Sequence, residues 1–233
     1  GLFSRLTYHF LHVLAQLLVL IYWRGYARQR RNLPRKGGVI ISPVHRSNLD
    51  VPLLGATCPR RLRYLAKGSL FESRFWGWFL TVVGGFPLDR EAKADRGALK
   101  AALGVLDRGE ALVVFPEGER KSGPTVYPML DGAVWLSVRS GAPILPVGIG
   151  GSERSMPKGA LVPRPTKLVF HYGDLVYPPS NADGSRVSRS QMRMHSDELR
   201  ATIQRLFDEA QELAGCPNPP EHERPPLPEG PAD

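Results

Sequence analysis

Residues 39–50 read VIISPVHRSNLD, a short β-branched run followed by a histidine and, after four intervening residues, an aspartate. The run from Val39 to Val44 has the composition of a buried strand and delivers His45 at its carboxyl end. In open α/β sheets, ligand sites gather at the carboxyl ends of the strands. Asp50 then opens an apolar stretch with Pro52 in its first turn, which is typical of a helix whose N-cap is the aspartate. The stretch therefore predicts a strand, a functional site and a helix in succession.

His45 and Asp50 are also a candidate general-base pair. A carboxylate can hold an imidazole in one tautomer and stabilise its protonated form. Such a base needs a group to deprotonate, and the chain contains no G-x-S-x-G sequence that would present a nucleophilic serine. We therefore expect the pair to act on a hydroxyl group of the substrate itself.

Strand-like and helix-like segments alternate through most of the 233 residues. Strands are predicted at 39–44, 62–66, 111–115, 142–149 and 167–171, and helices at 92–106, 130–139 and 191–213. This alternation predicts an α/β fold with a central, mostly parallel mixed sheet flanked by helices. We expect residues 39–214 to form this domain. Residues 215–233, which are rich in proline, are predicted to be an extended or disordered tail.

The first 38 residues differ from the rest in charge and hydropathy. They contain seven of the 31 Lys and Arg residues and no acidic residue. Phe10 to Trp23 reads FLHVLAQLLVLIYW, which is shorter than the about 20 apolar residues of a spanning helix. Aromatic and basic residues follow it, as at a headgroup boundary. Residues 1–38 are therefore predicted to be a membrane-associated helical anchor that lies in one face of the bilayer. A core helix and a spanning helix are the alternatives.

The positive charge also bears on the choice of partner. The net charge is +9, but the N-terminal arginines lie beside an apolar run and not among groove-reading residues. This placement favours a membrane lipid surface and argues against nucleic acid. Cys58 and Cys216 match no metal-ligand spacing and are expected to be free thiols.

Further segments after predicted strands carry groups suited to a phosphate ligand. Residues 115–120 read FPEGER, in which Gly118 allows close backbone approach and Arg120 offers a planar fork of donors. Residues 84–90 read GGFPLDR and end in Arg90, and Lys67 ends the stretch LRYLAK. Each feature is weak alone, because an arginine after a strand is most often simply solvated.

In their order and spacing these segments resemble the motifs of the glycerolipid acyltransferase family, which includes the lysophosphatidic acid acyltransferases. His45 and Asp50 match its H-x-x-x-x-D motif, and residues 115–120 match its F-P-E-G-x-R motif. Residues 86–90 match a motif that ends in arginine, and residues 144–147 match a hydrophobic strand with proline. The resemblance covers about residues 39–150.

The resemblance implies that His45 takes the proton from a hydroxyl of a glycerol-phosphate acceptor, while Asp50 orients His45. The acceptor oxygen would attack the thioester of acyl-CoA or acyl carrier protein. Basic residues would hold the acceptor phosphate: Lys67, Arg90 and Arg120. Two more would shape the acceptor site: Glu117 and Gly118. No metal or other cofactor is implied, since no ligand cluster accompanies the histidine.

Two departures from the family pattern fall on the acceptor side. Residues 129–132 read MLDG where many relatives have Phe-Lys-x-Gly, and Glu119 stands where the family commonly has threonine. We expect Glu119 to face away from the phosphate or to pair with a basic neighbour.

Three functional hypotheses follow. The first is acyl transfer to the sn-2 hydroxyl of 1-acylglycerol 3-phosphate, giving phosphatidic acid. The second keeps the chemistry and changes the acceptor to glycerol 3-phosphate, another lysophospholipid or a glycolipid, with a thioesterase as a related rival. The third is a non-catalytic protein that binds anionic lipid. For the first we expect a peripheral enzyme on the cytoplasmic face of a bacterial cell membrane.

Overall fold

A mixed sheet organises the part of the chain that the structure describes. The computed structural model describes residues 10, 12–67, 72, 85–88, 96–181 and 185–226. Within these ranges the sheet has seven strands: β1 Tyr26–Arg28, β2 Val39–Pro43, β3 Leu62–Lys67, β4 Gly85–Leu88, β5 Ala111–Val113, β6 Ile144–Gly150 and β7 Val169–Tyr172. Their order is β1-β7-β6-β2-β5-β3-β4, and every neighbouring pair is parallel except β6 and β7. The predicted α/β fold with a mostly parallel mixed sheet is confirmed.

Strand β2 lies at the centre of this sheet, between β5 and β6. All five of its residues are buried, which is expected of a strand covered on both faces in a parallel sheet. This explains why its sequence is mostly apolar, with Ser42 as its one polar residue and no alternation of polar and apolar positions.

The described α-helices that follow β2 are α1 Asp50–Thr57, α2 Arg96–Asp107, α3 Gly132–Ser140, α4 Ser152–Ser155 and α5 Arg189–Leu213. Helices α2, α3 and α5 pack against strands of the sheet. Helix α5 lies against β6 and β7. A Cβ atom on Gly148 would stand 2.1 Å from the carbonyl oxygen of Leu206, and one on Gly150 would stand 2.1 Å from that of Ala210. These two glycines therefore let α5 run along β6 at backbone contact.

Helix α1 corrects one sequence expectation. Asp50 is the first residue of the helix, and Leu49 occupies the N-cap with no side-chain cap hydrogen bond. The carboxylate of Asp50 accepts hydrogen bonds from the amides of Arg46 and Ser47, which precede it. The predicted N-cap role is wrong because this carboxylate is held by the turn before the helix.

The N-terminal segment forms a helix along the surface. Residues 12–17 are α-helical and continue into a π-helical turn at Leu18–Tyr22. Val19 and Trp23 are buried against the body, whereas Leu20 and Ile21 are 65% and 71% exposed. The alternative of a core helix is wrong, because most of its large apolar side chains are uncovered. Among the described residues, none of the helices has the length and apolar character required to cross a bilayer.

Both predicted domain boundaries need correction. Strand β1 pairs with β7, so the sheet includes residues upstream of position 39. A three-residue Tyr-Ala-Arg strand carries too little pattern to be recognised in a basic segment. At the other end, Arg224 forms an ion pair with Asp208 of α5 at 3.0 Å, and Asn218 donates to the same residue at 2.8 Å. The tail is thus packed on α5 as far as Arg224, and residues 227–233 lie outside the described part.

The two cysteines are free, as expected. Cys58 is buried, and burial raises the pKa of its thiol to about 11. A thiol with so high a pKa carries little thiolate at neutral pH and is a poor nucleophile.

Candidate active site

The candidate catalytic residues lie at the carboxyl ends of neighbouring strands. Strands β2 and β5 are parallel, with Ile41 opposite Val113, so the segments that follow them leave the sheet at the same edge. Strand β3 ends at Lys67 on this edge, paired with the end of β4 at Leu88. The side chain of Lys67 and the whole of Arg90 lie outside the described part of the structure. The topology therefore brings the segments after β2 and β5 together, as the strand-end rule predicts.

His45 and Asp50 form a hydrogen-bonded pair. The Nδ1 atom of His45 lies 3.0 Å from Oδ2 of Asp50, and the imidazole stacks on Phe115 with 4.1 Å between the ring centroids. The side chain of Asp50 is fully buried, whereas that of His45 is 16% exposed. A carboxylate at Nδ1 favours the tautomer with the proton on Nδ1. The Nε2 atom is then left with the lone pair that a general base requires.

The carboxylate of Asp50 is held by more than the imidazole. Its Oδ2 atom also accepts hydrogen bonds from the amides of Arg46 and Ser47, each at 2.7 Å. Three donors converge on one oxygen, and hydrogen bonds to an ionised carboxylate are among the stronger ones in proteins. The backbone of the loop between β2 and α1 thus folds around the carboxylate of Asp50, which is hydrogen-bonded to His45.

Arg46 is the residue that the sequence analysis missed. Its side chain is 1% exposed, which is rare for arginine, and its guanidinium donates to the carboxylate of Glu117 at 2.8 Å. It also donates to the carbonyl oxygens of His45, Gly123 and Thr125. The guanidinium carbon lies 5.2 Å from the ring centroid of Phe207 on α5. Arg46 therefore joins the histidine turn to the segment after β5, and an arginine next to a histidine gives no sequence signal for such burial.

Glu117 lies next to the backbone of His45, the histidine of the His45–Asp50 dyad. Its side chain is fully buried, and its two oxygens accept from Arg46, from the amide of Tyr127 at 2.9 Å and from the amide of His45 at 3.4 Å. The predicted role of Glu117 in shaping the acceptor site stays a prediction, and the buried carboxylate could act there only through the residues that it holds. Glu117 holds the backbone on which His45 is mounted.

Gly118 closes a tight turn after Pro116. Its φ is +74°, and its amide donates to the carbonyl of Phe115 at 3.0 Å. A Cβ atom at this position would also stand 2.8 Å from Leu130. The positive φ of the turn therefore favours glycine here, and a larger residue would also have to displace the side chain of Leu130.

The residues after the turn run past the dyad. The amide of Lys121 donates to the carbonyl of His45 at 3.0 Å, which places Arg120 beside the histidine turn. Within the described ranges, the guanidinium of Arg120 has no hydrogen-bond or ion-pair partner. Glu119 pairs with Lys121 at 2.7 Å, which confirms the expectation that it pairs with a basic neighbour. The donors of Arg120 are thus unsatisfied within the described part of the chain, and the charge of Glu119 is paired with that of Lys121.

Two helices hold the loops of the site from outside. Ser47 donates to the carbonyl of Met156, just after α4, at 2.8 Å. The carboxylate of Glu153 on α4 accepts from the amide of Gly123 at 3.1 Å, and Gln204 on α5 accepts from that of Val126 at 2.6 Å. These contacts fix the loops that carry His45 and Arg120, so the geometry of the dyad depends on residues distant in sequence.

We expect Asp50→Asn to lower kcat on the order of 10²- to 10⁴-fold with a much smaller change in KM. The amide oxygen of asparagine can still accept from the loop, but the charge that stabilises protonated His45 is lost. Steady-state kinetics measure the effect, with far-UV circular dichroism as the check of folding. Asp174→Asn is the matched control, since it removes a carboxylate beyond β7, at the opposite edge of the sheet. A kcat within threefold of the parent would contradict the orienting role of Asp50.

Comparisons with known proteins agree with the fold and indicate the family. A family model described as Acyltransferase matches residues 26–150. The 1-acyl-sn-glycerol-3-phosphate acyltransferase of Bacillus subtilis (strain 168) is 31% identical over 174 residues, which are 70% of this chain and 83% of that protein. The enzyme of the same name from Helicobacter pylori (strain J99) is 32% identical over 169 residues, which are 70% of each chain.

A solved structure is similar as well. The crystal structure of the 1-acyl-sn-glycerophosphate acyltransferase PlsC from Thermotoga maritima superposes with a TM-score of 0.72 at 23% identity, covering 88% of this chain and 80% of that one. This likeness shows the fold, a mostly parallel mixed sheet flanked by helices. With the family model and the sequence relatives, the chain belongs to the acyltransferase family and is an enzyme of that family.

Proposed function

We propose that the enzyme transfers a fatty acyl group to the sn-2 hydroxyl of 1-acylglycerol 3-phosphate, giving phosphatidic acid. The observation that carries the proposal is the His45–Asp50 pair at the carboxyl edge of β2, with Arg120 beside it. The named activity of the two bacterial relatives supports this acceptor. The proposed donor is acyl-CoA or acyl carrier protein, both of which present the acyl group as a thioester.

In the proposed mechanism, Nε2 of His45 takes the proton of the acceptor hydroxyl as its oxygen attacks the thioester carbonyl. The resulting tetrahedral intermediate collapses and expels the donor thiolate. The thiolate then takes the proton back from His45, which restores the resting enzyme. Asp50 stabilises the imidazolium between these steps, and the reaction needs no covalent acyl-enzyme, metal or further cofactor.

The acceptor phosphate is proposed to bind basic side chains at the same edge. Arg120 is the one whose surroundings are described, and its planar guanidinium suits a bidentate contact with phosphate oxygens. Lys67 and Arg90 remain proposed partners of the phosphate from the sequence motifs. Because this acceptor lies in a bilayer, the proposed location is the cytoplasmic face of a bacterial membrane, with the N-terminal helix as a peripheral anchor.

An acceptor panel tests the proposal. The purified chain is supplied with one acyl-CoA and, separately, with lysophosphatidic acid, glycerol 3-phosphate, lysophosphatidylcholine or lysophosphatidylglycerol, and the acylated products are quantified. We expect phosphatidic acid from the first acceptor at a rate well above the others. Product from another acceptor, with none from lysophosphatidic acid, would replace the proposed substrate. Free fatty acid formed without any acceptor would indicate a thioesterase.

We expect Arg120→Ala to raise the KM for lysophosphatidic acid by about 10- to 100-fold, the loss expected for one charge-assisted contact. The KM for the acyl donor should change little, because the residue is assigned to the acceptor phosphate. Lys121→Ala is the neighbouring control, since the Lys121 side chain is paired with Glu119. A fall in kcat with an unchanged acceptor KM would instead mean that the contact forms only in the transition state.

A further inference from the structure

An exposed apolar tip lies on the loop between α4 and β7. Leu161 and Val162 are 92% and 74% exposed, the largest such exposure of neighbouring apolar residues in the described part of the chain. The exposed cations Lys158 and Arg164 flank this pair in sequence. Single exposed apolar residues are ordinary on protein surfaces, but an adjacent pair between cations has the composition of an interfacial segment.

The tip is fixed to the end of the N-terminal helix. The hydroxyl of Tyr22 donates to the carbonyl of Pro163 at 2.8 Å, and the indole of Trp23 donates to Ser155 at 2.8 Å. The amide of Arg164 donates to the carbonyl of Ser155 at 2.8 Å. These bonds hold the loop, α4 and the end of the N-terminal helix together, and that helix end carries the exposed side chains of Leu20 and Ile21. The two segments that these bonds join therefore each present exposed apolar surface.

A cationic cavity adjoins this surface. It has a volume of about 540 Å³. Its lining includes three basic residues and, among the described residues, no carboxylate: Arg24, Arg154 and Lys167. Thr166 adds a hydroxyl group to the lining. Such a lining is complementary to an anionic headgroup, and it belongs to the same loop and helix end as the apolar tip.

We propose that residues 157–167 form a second membrane-docking element, distinct from the N-terminal helix. Leu161 and Val162 enter the headgroup boundary of an anionic bilayer, and the cavity of Arg24, Arg154 and Lys167 receives the phosphate of a lipid headgroup. Apolar burial and attraction to anionic lipid are the two contributions to interfacial binding. The lipid contact itself does not depend on the acceptor proposed above.

The element is connected to the dyad. It follows β6, which is parallel to β2, so it leaves the sheet at the edge that carries His45. Met156, at the start of the loop, accepts the hydrogen bond of Ser47. Docking through this loop would therefore turn the edge of the sheet that carries His45 toward the bilayer. A protein held by the N-terminal helix alone could rotate about the axis of that helix, whereas a second contact with the bilayer would prevent this rotation.

The first test removes the apolar tip. Partition of the purified full chain into vesicles of 30% phosphatidylglycerol in phosphatidylcholine, without acyl donor, is measured by sedimentation. We expect L161S/V162S to lower the partition coefficient by about tenfold. The matched control is M194S, an exposed apolar residue near the start of α5, which lies toward the amino end of β6. Unchanged partition of the double variant, with the control also unchanged, would overturn the proposal.

The second test removes a charge. We expect Arg154→Gln to weaken binding to the anionic vesicles by about fivefold and binding to pure phosphatidylcholine hardly at all. Arg139→Gln makes the same change on α3, near the amino end of β6, and should be neutral in both. An equal loss on both kinds of vesicle would overturn the headgroup assignment.

A fluorescent label reports insertion directly. The variant L161C/C216S carries an environment-sensitive dye at the tip, and its emission should shift to shorter wavelength on adding anionic vesicles. A shift that needs no vesicles and grows with protein concentration would mean that a second copy of the chain covers the tip, which overturns the membrane assignment. Because these vesicle measurements need no catalysis, they stand whether or not the acceptor panel yields phosphatidic acid.

Discussion

Replacing His45 by alanine is expected to lower kcat/KM for acyl transfer on the order of 10³-fold or more, the usual contribution of a positioned general base. The variant removes the partly exposed imidazole that is hydrogen-bonded to the buried carboxylate of Asp50. Acyl transfer from labelled acyl-CoA to lysophosphatidic acid measures the loss.

The fold should survive this change. His45 is held mainly through backbone atoms, since its carbonyl accepts from Arg46 and Lys121 and its amide faces Glu117. Circular dichroism and vesicle binding should therefore match those of the parent. His222→Ala, at a surface histidine on the C-terminal segment, is the control for histidine loss. Acyl transfer within tenfold of the parent in the His45 variant would refute the dyad, and loss of vesicle binding would point to misfolding instead.

Replacing Arg46 by alanine is expected to lower the free energy of unfolding by about 3–5 kcal/mol, because it leaves the carboxylate of Glu117 buried without its cation. The carbonyl groups of Gly123 and Thr125 would lose this donor at the same time, and that of His45 would keep only the amide of Lys121. Urea unfolding followed by circular dichroism measures the loss, and activity should fall with it, because the histidine turn would no longer be tied to the segment after β5.

A double-mutant cycle separates the ion pair from the other contacts of Arg46. The variants are Arg46→Met, Glu117→Gln and the two combined. If the pair couples as the structure indicates, the double variant should be more stable than the sum of the single losses predicts, by about 1–3 kcal/mol. Additive losses would mean that the carbonyl contacts of Arg46, and not Glu117, account for its effect on stability.

The His45–Asp50 dyad and the Arg46–Glu117 pair are connected through the loops that follow β2 and β5. Asp50 organises the turn that carries His45, and Glu117 supports that turn from the next strand. Helices α4 and α5 hold the loops from outside through Glu153 and Gln204. A catalytic imidazole needs this support, because small displacements of a reacting group are costly in rate. The buried ion pair of Arg46 and Glu117 thus helps to position the imidazole of His45, which is partly exposed.

Much of this could be predicted from local sequence. The buried run at β2, the helix after Asp50 and the strands near positions 62, 111, 144 and 169 follow from apolar patterning, since backbone hydrogen bonding and burial impose characteristic periods. The pairing of His45 with Asp50 was predictable because five positions along a tight turn keep two side chains within reach. The pairing of Glu119 with a basic neighbour was also foreseen, since Lys121 stands two residues away.

Tertiary structure decided the rest, because the groups concerned meet across long stretches of chain. Nothing local distinguishes Arg46 from a solvated arginine, and its burial follows from Glu117, 71 residues further on. Strand β1 exists because β7 offers an open edge, and the C-terminal segment is ordered by Asp208 of α5. The sequence alone thus predicted most of the elements and the pairing of His45 with Asp50. The physical reason that it could not specify their support is that burial of a charge depends on partners that only the folded chain brings together.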